Sequence, residues 1–385
     1  MKPLIRVAAG DVPTITEQLR DAVLLDGVAV LPVAGVDEPA GDDLVAGLVD
    51  DDIALVVETS GSTDAPKRVL LSGAALRASA GATARFFGGT HGQWLLALPA
   101  TYIAGVQVIV RSLVAGTQPA VVPPGGFTPQ AFVDAARELD PDRPWFTSLV
   151  PVQLARLVDA AEHDRSVRAA LGAFERILLG GQAAPAELLD RAAGLGAHVH
   201  RTYGSSETAG GCVYDGRPLD RVRLRIVDDE VQLAGPMLAN GYLDDPDRTA
   251  RAFEVDADGV RWYRTGDLGA LDDEGRLRIR GRADDVIISG GVKVALGEVE
   301  RAVRGLPGLG DAVVVRVADP EWGERAAVAS GGASVPLDLL AEATDAAGLH
   351  PAARPVRLLV LDPLPVLASG KPDRRAIAAR FAADA

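Results

Sequence analysis

Thr59-Ser-Gly-Ser-Thr-Asp-Ala-Pro-Lys67 follows the apolar run Ile53-Ala-Leu-Val-Val57, and together they read as a buried strand feeding a loop built for polyphosphate. Small residues let backbone N–H groups approach phosphate oxygens. The hydroxyls of Thr59, Ser60, Ser62 and Thr63 add donors around Gly61, and Lys67 adds a point charge. The common Walker loop is excluded, because Lys67 follows Pro66 rather than glycine and no serine or threonine comes after it. Taken alone, such a Ser/Thr/Gly run also fits a solvated turn. A helix is expected soon after Ser72.

Around this loop the pattern is layered. The first fifty residues read as a short helix (Ile15 to Leu25), a strand (Val28 to Val33) and an acidic connection. From Ile53 to about Leu179, short apolar strands such as Trp94 to Leu98 and Pro119 to Val122 alternate with helices such as Gly105 to Ala115 and Pro129 to Leu139. That alternation predicts an α/β layered sheet. After Tyr203, Arg221-Val-Arg-Leu-Arg-Ile-Val227 and Glu230-Val-Gln-Leu233 alternate like strands wet on one side, which predicts a small antiparallel β subdomain. Beyond the polar break Gly281-Arg-Ala-Asp-Asp285 lies a compact tail. Its expected helices are Leu296 to Arg304 and Leu337 to Ala347, and its expected strands Ala312 to Val317 and Val356 to Leu361. The expected organisation is a large α/β domain, 1–283, and a small α+β domain, 285–385.

At 385 residues the chain can hold two or three domains with a large core. Its formal charge of −14 argues against a nucleic-acid partner and against attraction to an anionic membrane. An anionic substrate must then be held by local donors against the net field. Cys212 is the sole cysteine, so an intramolecular disulfide and a Cys-based metal site are both excluded. The five histidines form no ligand-spaced set. The N-terminal stretch lacks the apolar core of a signal peptide, and Arg111 interrupts the run Val106 to Val110. A cytoplasmic protein without membrane insertion is expected, with a homodimer left open.

Three further segments carry chemistry. In Arg201-Thr-Tyr-Gly-Ser-Ser-Glu-Thr208, Tyr203 offers a flat face for a base beside the close-approach position Gly204. Glu207 offers hard oxygen for Mg²⁺ near phosphates; a surface turn with a solvated glutamate is the alternative. In Trp262-Tyr-Arg-Thr-Gly-Asp-Leu268, Asp267 can accept both hydroxyls of a ribose, and Arg282 downstream can meet a phosphate or the same sugar. The alternative there is a turn aspartate with a surface arginine. Ala368-Ser-Gly-Lys-Pro-Asp-Arg374 places Lys371 near the C-terminus, where a lysine in a flexible tail is the plain reading.

In this order and at this separation, the four segments resemble the adenylate-forming superfamily of acyl- and aryl-CoA ligases, peptide-synthetase adenylation domains and luciferases. The resemblance runs from about residue 53 to Arg375. It implies ATP, Mg²⁺ and CoA as co-substrates and cofactors, with a small carboxylic acid as the partner to be activated. It makes Thr59 to Lys67 the pyrophosphate loop and lays the backbone of Gly181 and Gln182 along the adenine. Tyr203 would stack on the adenine, with Gly204 and Ser205 beside it. Ser206 and Glu207 would handle phosphate and metal, and Asp267 would hold the ribose. Asp284 would be a hinge and Lys371 the lysine of the adenylation step. Ser289, Gly290 and Gly291 would line a narrow channel for the CoA thiol.

The short lead before the phosphate loop, with Leu98-Pro-Ala-Thr-Tyr-Ile-Ala-Gly-Val106 and Val110-Arg-Ser-Leu-Val-Ala-Gly116, is similar to the o-succinylbenzoate–CoA ligases of menaquinone biosynthesis, compact high-GC bacterial forms in particular. That acid has an aliphatic carboxylate to activate and an aromatic one that needs a polar partner. Tyr102 is the first candidate for this pocket. Arg111 is the second, with a helix-end surface charge as its plainer reading. A ligase for another aryl or short acyl acid, or a non-catalytic adenylate-binding relative, is the alternative. Asp64 departs from the family pattern by placing a carboxylate where the loop usually has glycine.

Overall fold

The computed structural model of the chain describes residues 1–35, 45–59, 67–123, 126–366 and 372–383. These form two compact units. The larger takes Met1–Ala183, Glu187–Arg225 and Gln232–Arg264, and the smaller takes Ala184–Ala186, Ile226–Val231 and Thr265–Ala385.

Two sheets build the larger unit. The first is six-stranded, in the order Gly241–Tyr242, Lys67–Ser72, Ile53–Thr59, Ala29–Val33, Lys2–Ala8, Val45–Val49. Its three middle strands run parallel and the flanking ones antiparallel. Ile53 to Val57 are buried without interruption, as a strand covered on both faces requires. Helix Val12–Leu24 covers it with Ile15, Leu19, Ala22 and Val23, one stripe at helical spacing. Sequence reading missed Lys2–Ala8 and Val45–Val49, and Lys67–Ser72 intervenes as a strand before the expected helix, which is Gly73–Phe86.

The second sheet has seven strands. Ala120–Val121, Gln93–Leu96, Trp145–Leu149, Phe174–Leu179 and Val199–Ser205 are parallel, then Gly210–Tyr214 and Arg217–Pro218 are antiparallel. Helices Gly73–Phe86 and Ile103–Val114 pack against each other in this unit. Cys212 lies buried on Gly210–Tyr214, and burial pushes its thiol up to about 12.

The smaller unit is a sheet with helices on both faces. Its order is Val292–Ala295, Val286–Ser289, Gly323–Ser330, Val313–Asp319, with Arg357–Val360 parallel to Gly323–Ser330. The strand period of two sorts the side chains. Val313, Val315, Ala327 and Ala329 pack on Ile377 and Phe381 of the last helix, Arg374–Ala383. Val314, Ala326 and Val328 pack on Val299 and Val303 of Leu296–Val303 and Leu340 of Leu337–Ala346.

Arg223–Val227 and Glu230–Ala234 are strands, as expected. The long strand Arg261–Leu271 pairs with Phe253–Val255 in the larger unit and with Leu277–Arg282 in the smaller. Asp284 therefore lies inside the smaller unit, in the single 3-10 turn Ala283–Asp285 between Leu277–Arg282 and Val286–Ser289. Among the described residues no helix is long and apolar enough to cross a membrane.

Candidate active site

Thr59 stands directly opposite Lys67 where strands Ile53–Thr59 and Lys67–Ser72 pair. The segment expected to hold polyphosphate thus begins and ends on a β-ladder, with Lys67 opening a strand. Ser60, Gly61, Ser62, Thr63 and Asp64 lie outside the described residues.

The Tyr203 segment is a strand end folded into a tight turn. Val199–Ser205 runs into the 3-10 turn Ser206–Thr208, then Ala209 at φ +50° reverses the chain into Gly210–Tyr214. Glycine is required at 204, since a Cβ there would sit 2.2 Å from the Gly210 carbonyl oxygen. The Thr208 hydroxyl donates to the Gly210 carbonyl at 2.7 Å and accepts from the Ser205 N–H at 2.8 Å. Ser79 and Gln107 side chains both donate to the Ala209 carbonyl, at 2.9 and 2.8 Å, and so hold the turn against two helices. Ser206 is buried, and the Ser205 hydroxyl is buried without a partner. Tyr203 is half-buried. Nearby, a Cβ on Gly180 would lie 2.6 Å from Thr202 Oγ1, and Gly181 turns at φ +85° just before Gln182.

Glu207 is 6% exposed. Tyr242 Oη donates to its Oε1 at 2.9 Å, and the Ala239 N–H donates to its carbonyl oxygen at 2.8 Å. Burial first, then the Glu207 charge and hydrogen bond, push the Tyr242 phenol far above its usual range, so it stays a donor. Among the described residues, Tyr242 is the side-chain hydrogen-bond partner of Glu207, through one carboxylate oxygen. Among the described residues no cluster of three His, Cys, Asp or Glu side chains forms a cation cage. One carboxylate oxygen fits magnesium, which binds through one or two carboxylates and draws its other ligands from water and phosphates.

In the smaller unit, Asp267 is placed by its neighbours. The Gly266 N–H, at φ +69°, donates to Glu230 Oε1 at 3.0 Å. The Thr265 hydroxyl accepts from the Asp267 N–H at 3.0 Å and donates to the Val231 carbonyl at 2.8 Å. Arg282 donates to Asp267 Oδ1 at 3.0 Å, to the Thr265 carbonyl at 3.0 Å and to Asp284 Oδ1 at 3.1 Å. Burial alone would lower this guanidinium's pKa, but Asp267 and Asp284 outweigh it and raise it. Both glycines of Gly290-Gly291 have positive φ, +57° and +82°, the geometry of a two-residue hairpin turn. A Cβ on Gly290 would meet the Trp322 ring at 2.6 Å, so Trp322, which sequence reading missed, walls this turn. The Ser289 hydroxyl beside it is buried without a partner. Lys371 lies outside the described residues.

The acid-pocket candidates sit on helix Ile103–Val114. Tyr102 is its N-cap residue and half-buried, and burial raises its phenol. Arg111 departs from the surface reading: it is 6% exposed and, among the described residues, has no carboxylate partner. Its guanidinium lies 4.9 Å from the Trp94 ring, its Nη2 is 3.5 Å from Tyr214 Oη, and its Nε has no partner. Burial lowers its pKa, with Tyr214 opposing. Every residue from Gly105 to Leu113 is buried, so this helix has no wet face near Arg111. The sequence signal was there, in Leu113 and Val114 continuing the apolar run beyond the charge. Gln107, one turn earlier, is buried with its Oε1 unpartnered and was also missed.

The AMP-binding enzyme family matches residues 8–243, and the chain belongs to that family. A Mycobacterium tuberculosis protein named "Probable 2-succinylbenzoate--CoA ligase" is 42% identical over 346 residues, 88% of this chain and 87% of its own. Among solved structures, the o-succinylbenzoate CoA synthetase (MenE) of Bacillus subtilis with the acyl-adenylate OSB-AMP matches with a TM-score of 0.73. It is 26% identical, over 94% of this chain and 80% of that one. The same synthetase with ATP and a magnesium ion matches with a TM-score of 0.71 at 26% identity, over 90% and 75% of the two chains.

Proposed function

We propose that the acid activated by this enzyme is o-succinylbenzoate, which it joins to CoA in menaquinone biosynthesis. The enzyme is an ATP-dependent acid–thiol ligase of the AMP-forming class. A substrate carboxylate oxygen attacks the α-phosphorus of ATP, the bond to the β-phosphate breaks and pyrophosphate leaves. The CoA thiolate then attacks the acyl carbon, and AMP leaves with the electron pair of the C–O bond. Negative charge builds on the phosphoryl oxygens in the first step, so fixed donors and cations are needed there.

The roles proposed for individual residues are those that the family resemblance implies. Thr59 and Lys67 would bound the pyrophosphate loop, and Lys371 would bring its charge to the adenylation step. Glu207 would hold magnesium, which when bound neutralises charge on the phosphates. Tyr203 would take the adenine, and Asp267, ion-paired with Arg282, would take the ribose hydroxyls. Gly290 and Gly291 would admit the narrow thiol arm of CoA. A cytoplasmic enzyme suits these water-soluble substrates.

Arg111 carries the choice of acid. A buried guanidinium that has, among the described residues, no partner for its Nε and no carboxylate beside it calls for an anionic ligand. The aromatic carboxylate of o-succinylbenzoate, left over when the aliphatic one is activated, meets that need, with Tyr102 at the start of the same helix. Product mass spectrometry after incubation with ATP, Mg²⁺, CoA and a panel of acids tests the reading. The expected product is o-succinylbenzoyl-CoA, with benzoate and fatty acids inert; a thioester of another acid alone would replace the substrate and keep the mechanism.

A further inference from the structure

Glu207 is gripped at two points by one short segment. The Ala239 N–H donates to its backbone carbonyl at 2.8 Å, and Tyr242 Oη donates to its carboxylate at 2.9 Å. That segment is also an edge strand of the six-stranded sheet. Gly241 lies opposite Leu70 and Tyr242 opposite Val69, and the Asn240 N–H donates to the Leu70 carbonyl at 2.9 Å. Arg261 pins it from its own strand, donating to the Ala239 and Asn240 carbonyls at 2.7 and 2.8 Å. The strand that opens at Lys67 and the carboxylate of Glu207 are therefore braced by the same four residues.

A buried carboxylate with one oxygen already engaged has a defined orientation. Its plane is set by that hydrogen bond. Without the phenol, rotation about the last side-chain bond would spread the carboxylate over several directions. We propose that Tyr242 is a positioning residue for the metal: its phenol orients Glu207 so that the second oxygen is presented to the divalent cation that accompanies ATP. The proposal rests on the reading of Glu207 as the magnesium carboxylate. Tyr242 acts on the metal through Glu207, and its phenol is also hydrogen-bonded to Tyr263. Outer partners of metal ligands are typically worth about 10- to 100-fold in metal affinity or activity.

Manganese is the probe. Its affinity for the enzyme–ATP complex, read from the electron paramagnetic resonance signal of free Mn²⁺, is compared in wild type, Tyr242→Phe and Glu207→Gln. Phenylalanine keeps the ring that packs 6.1 Å from Phe253 and removes only the hydroxyl. Tyr242→Phe is expected to weaken Mn²⁺ binding about tenfold, with a raised KM for MgATP and an unchanged KM for the acid. Glu207→Gln is expected to weaken it further. Wild-type affinity in Tyr242→Phe, with loss in Glu207→Gln, would overturn the role of Tyr242 and leave that of Glu207 standing. Wild-type affinity in both variants would overturn the reading of Glu207 and the proposal with it.

Discussion

A guanidinium removed from water without a counter-charge carries a desolvation penalty of several kcal/mol, and Arg111 bears it in the free enzyme. A bound carboxylate would offset that penalty, so the residue serves affinity at the expense of stability. Arg111→Gln is expected to raise the KM for o-succinylbenzoate roughly 100-fold, about 3 kcal/mol, while the KM for MgATP stays within about twofold. Steady-state kinetics on both substrates checks it, and an equal rise in the two would remove Arg111 from the acid pocket. Lys371→Ala should lower the adenylation rate on the order of 10²–10³-fold yet keep thioester formation from supplied acyl-AMP. Equal loss of both half-reactions would sink that role. At this scale the sequence was legible where pairing follows from side-chain type, as for Asp267 beside Arg282. It was opaque where burial reverses the expectation: an arginine near a helix end reads as a surface charge until the sheet beneath it is known.

Most elements could be read from local periodicity, because the helices Val12–Leu24 and Leu296–Val303 and the strand Ile53–Thr59 each carry their own apolar pattern. Lys2–Ala8 and Val45–Val49 could not. They are short, they are broken by charge or glycine, and pairing with distant strands makes them strands. One such non-local brace has a pH signature. The turn residue Asp215, at φ +48°, is 2.7 Å from His200 Nδ1 and accepts the Arg201 N–H at 2.9 Å, tying Gly210–Tyr214 back to Val199–Ser205. Burial pushes its carboxyl up, but the bonds from His200 and the Arg201 N–H outweigh that, and the net shift is downward. A depressed carboxylate stabilises the fold above its unfolded pKa of about 4, and that stability is lost as pH falls through the folded value. Asp215→Asn should therefore flatten the decline of the thermal midpoint below about pH 4. An acid limb parallel to that of wild type would show that the brace contributes nothing there.

At the scale of the whole molecule, the chain divides into two compact units, with Glu207 and Tyr203 in the larger and Asp267 and Arg282 in the smaller. The order of segments along the chain announced both, but the division did not fall at the polar break. Thr265 to Arg282 belongs with the smaller unit because it pairs within it, a contact that no local composition reveals. Asp284→Pro, in the exposed turn between two strands, is expected to slow one half-reaction at least tenfold more than the other. Separate assays of pyrophosphate release and thioester formation decide it, and equal rates in both would dismiss the hinge. The lone cysteine bears on how such motion can be watched. A thiol reacts as its thiolate, and with Cys212 buried and its pKa pushed up to about 12, the protein stays dark to chromogenic disulfide reagents. Consumption of CoA can thus be followed by colour with no background from the enzyme. A cysteine introduced at the exposed Ile288 would be the sole addressable position, and a fluorophore there would report on the smaller unit in an otherwise natural sequence.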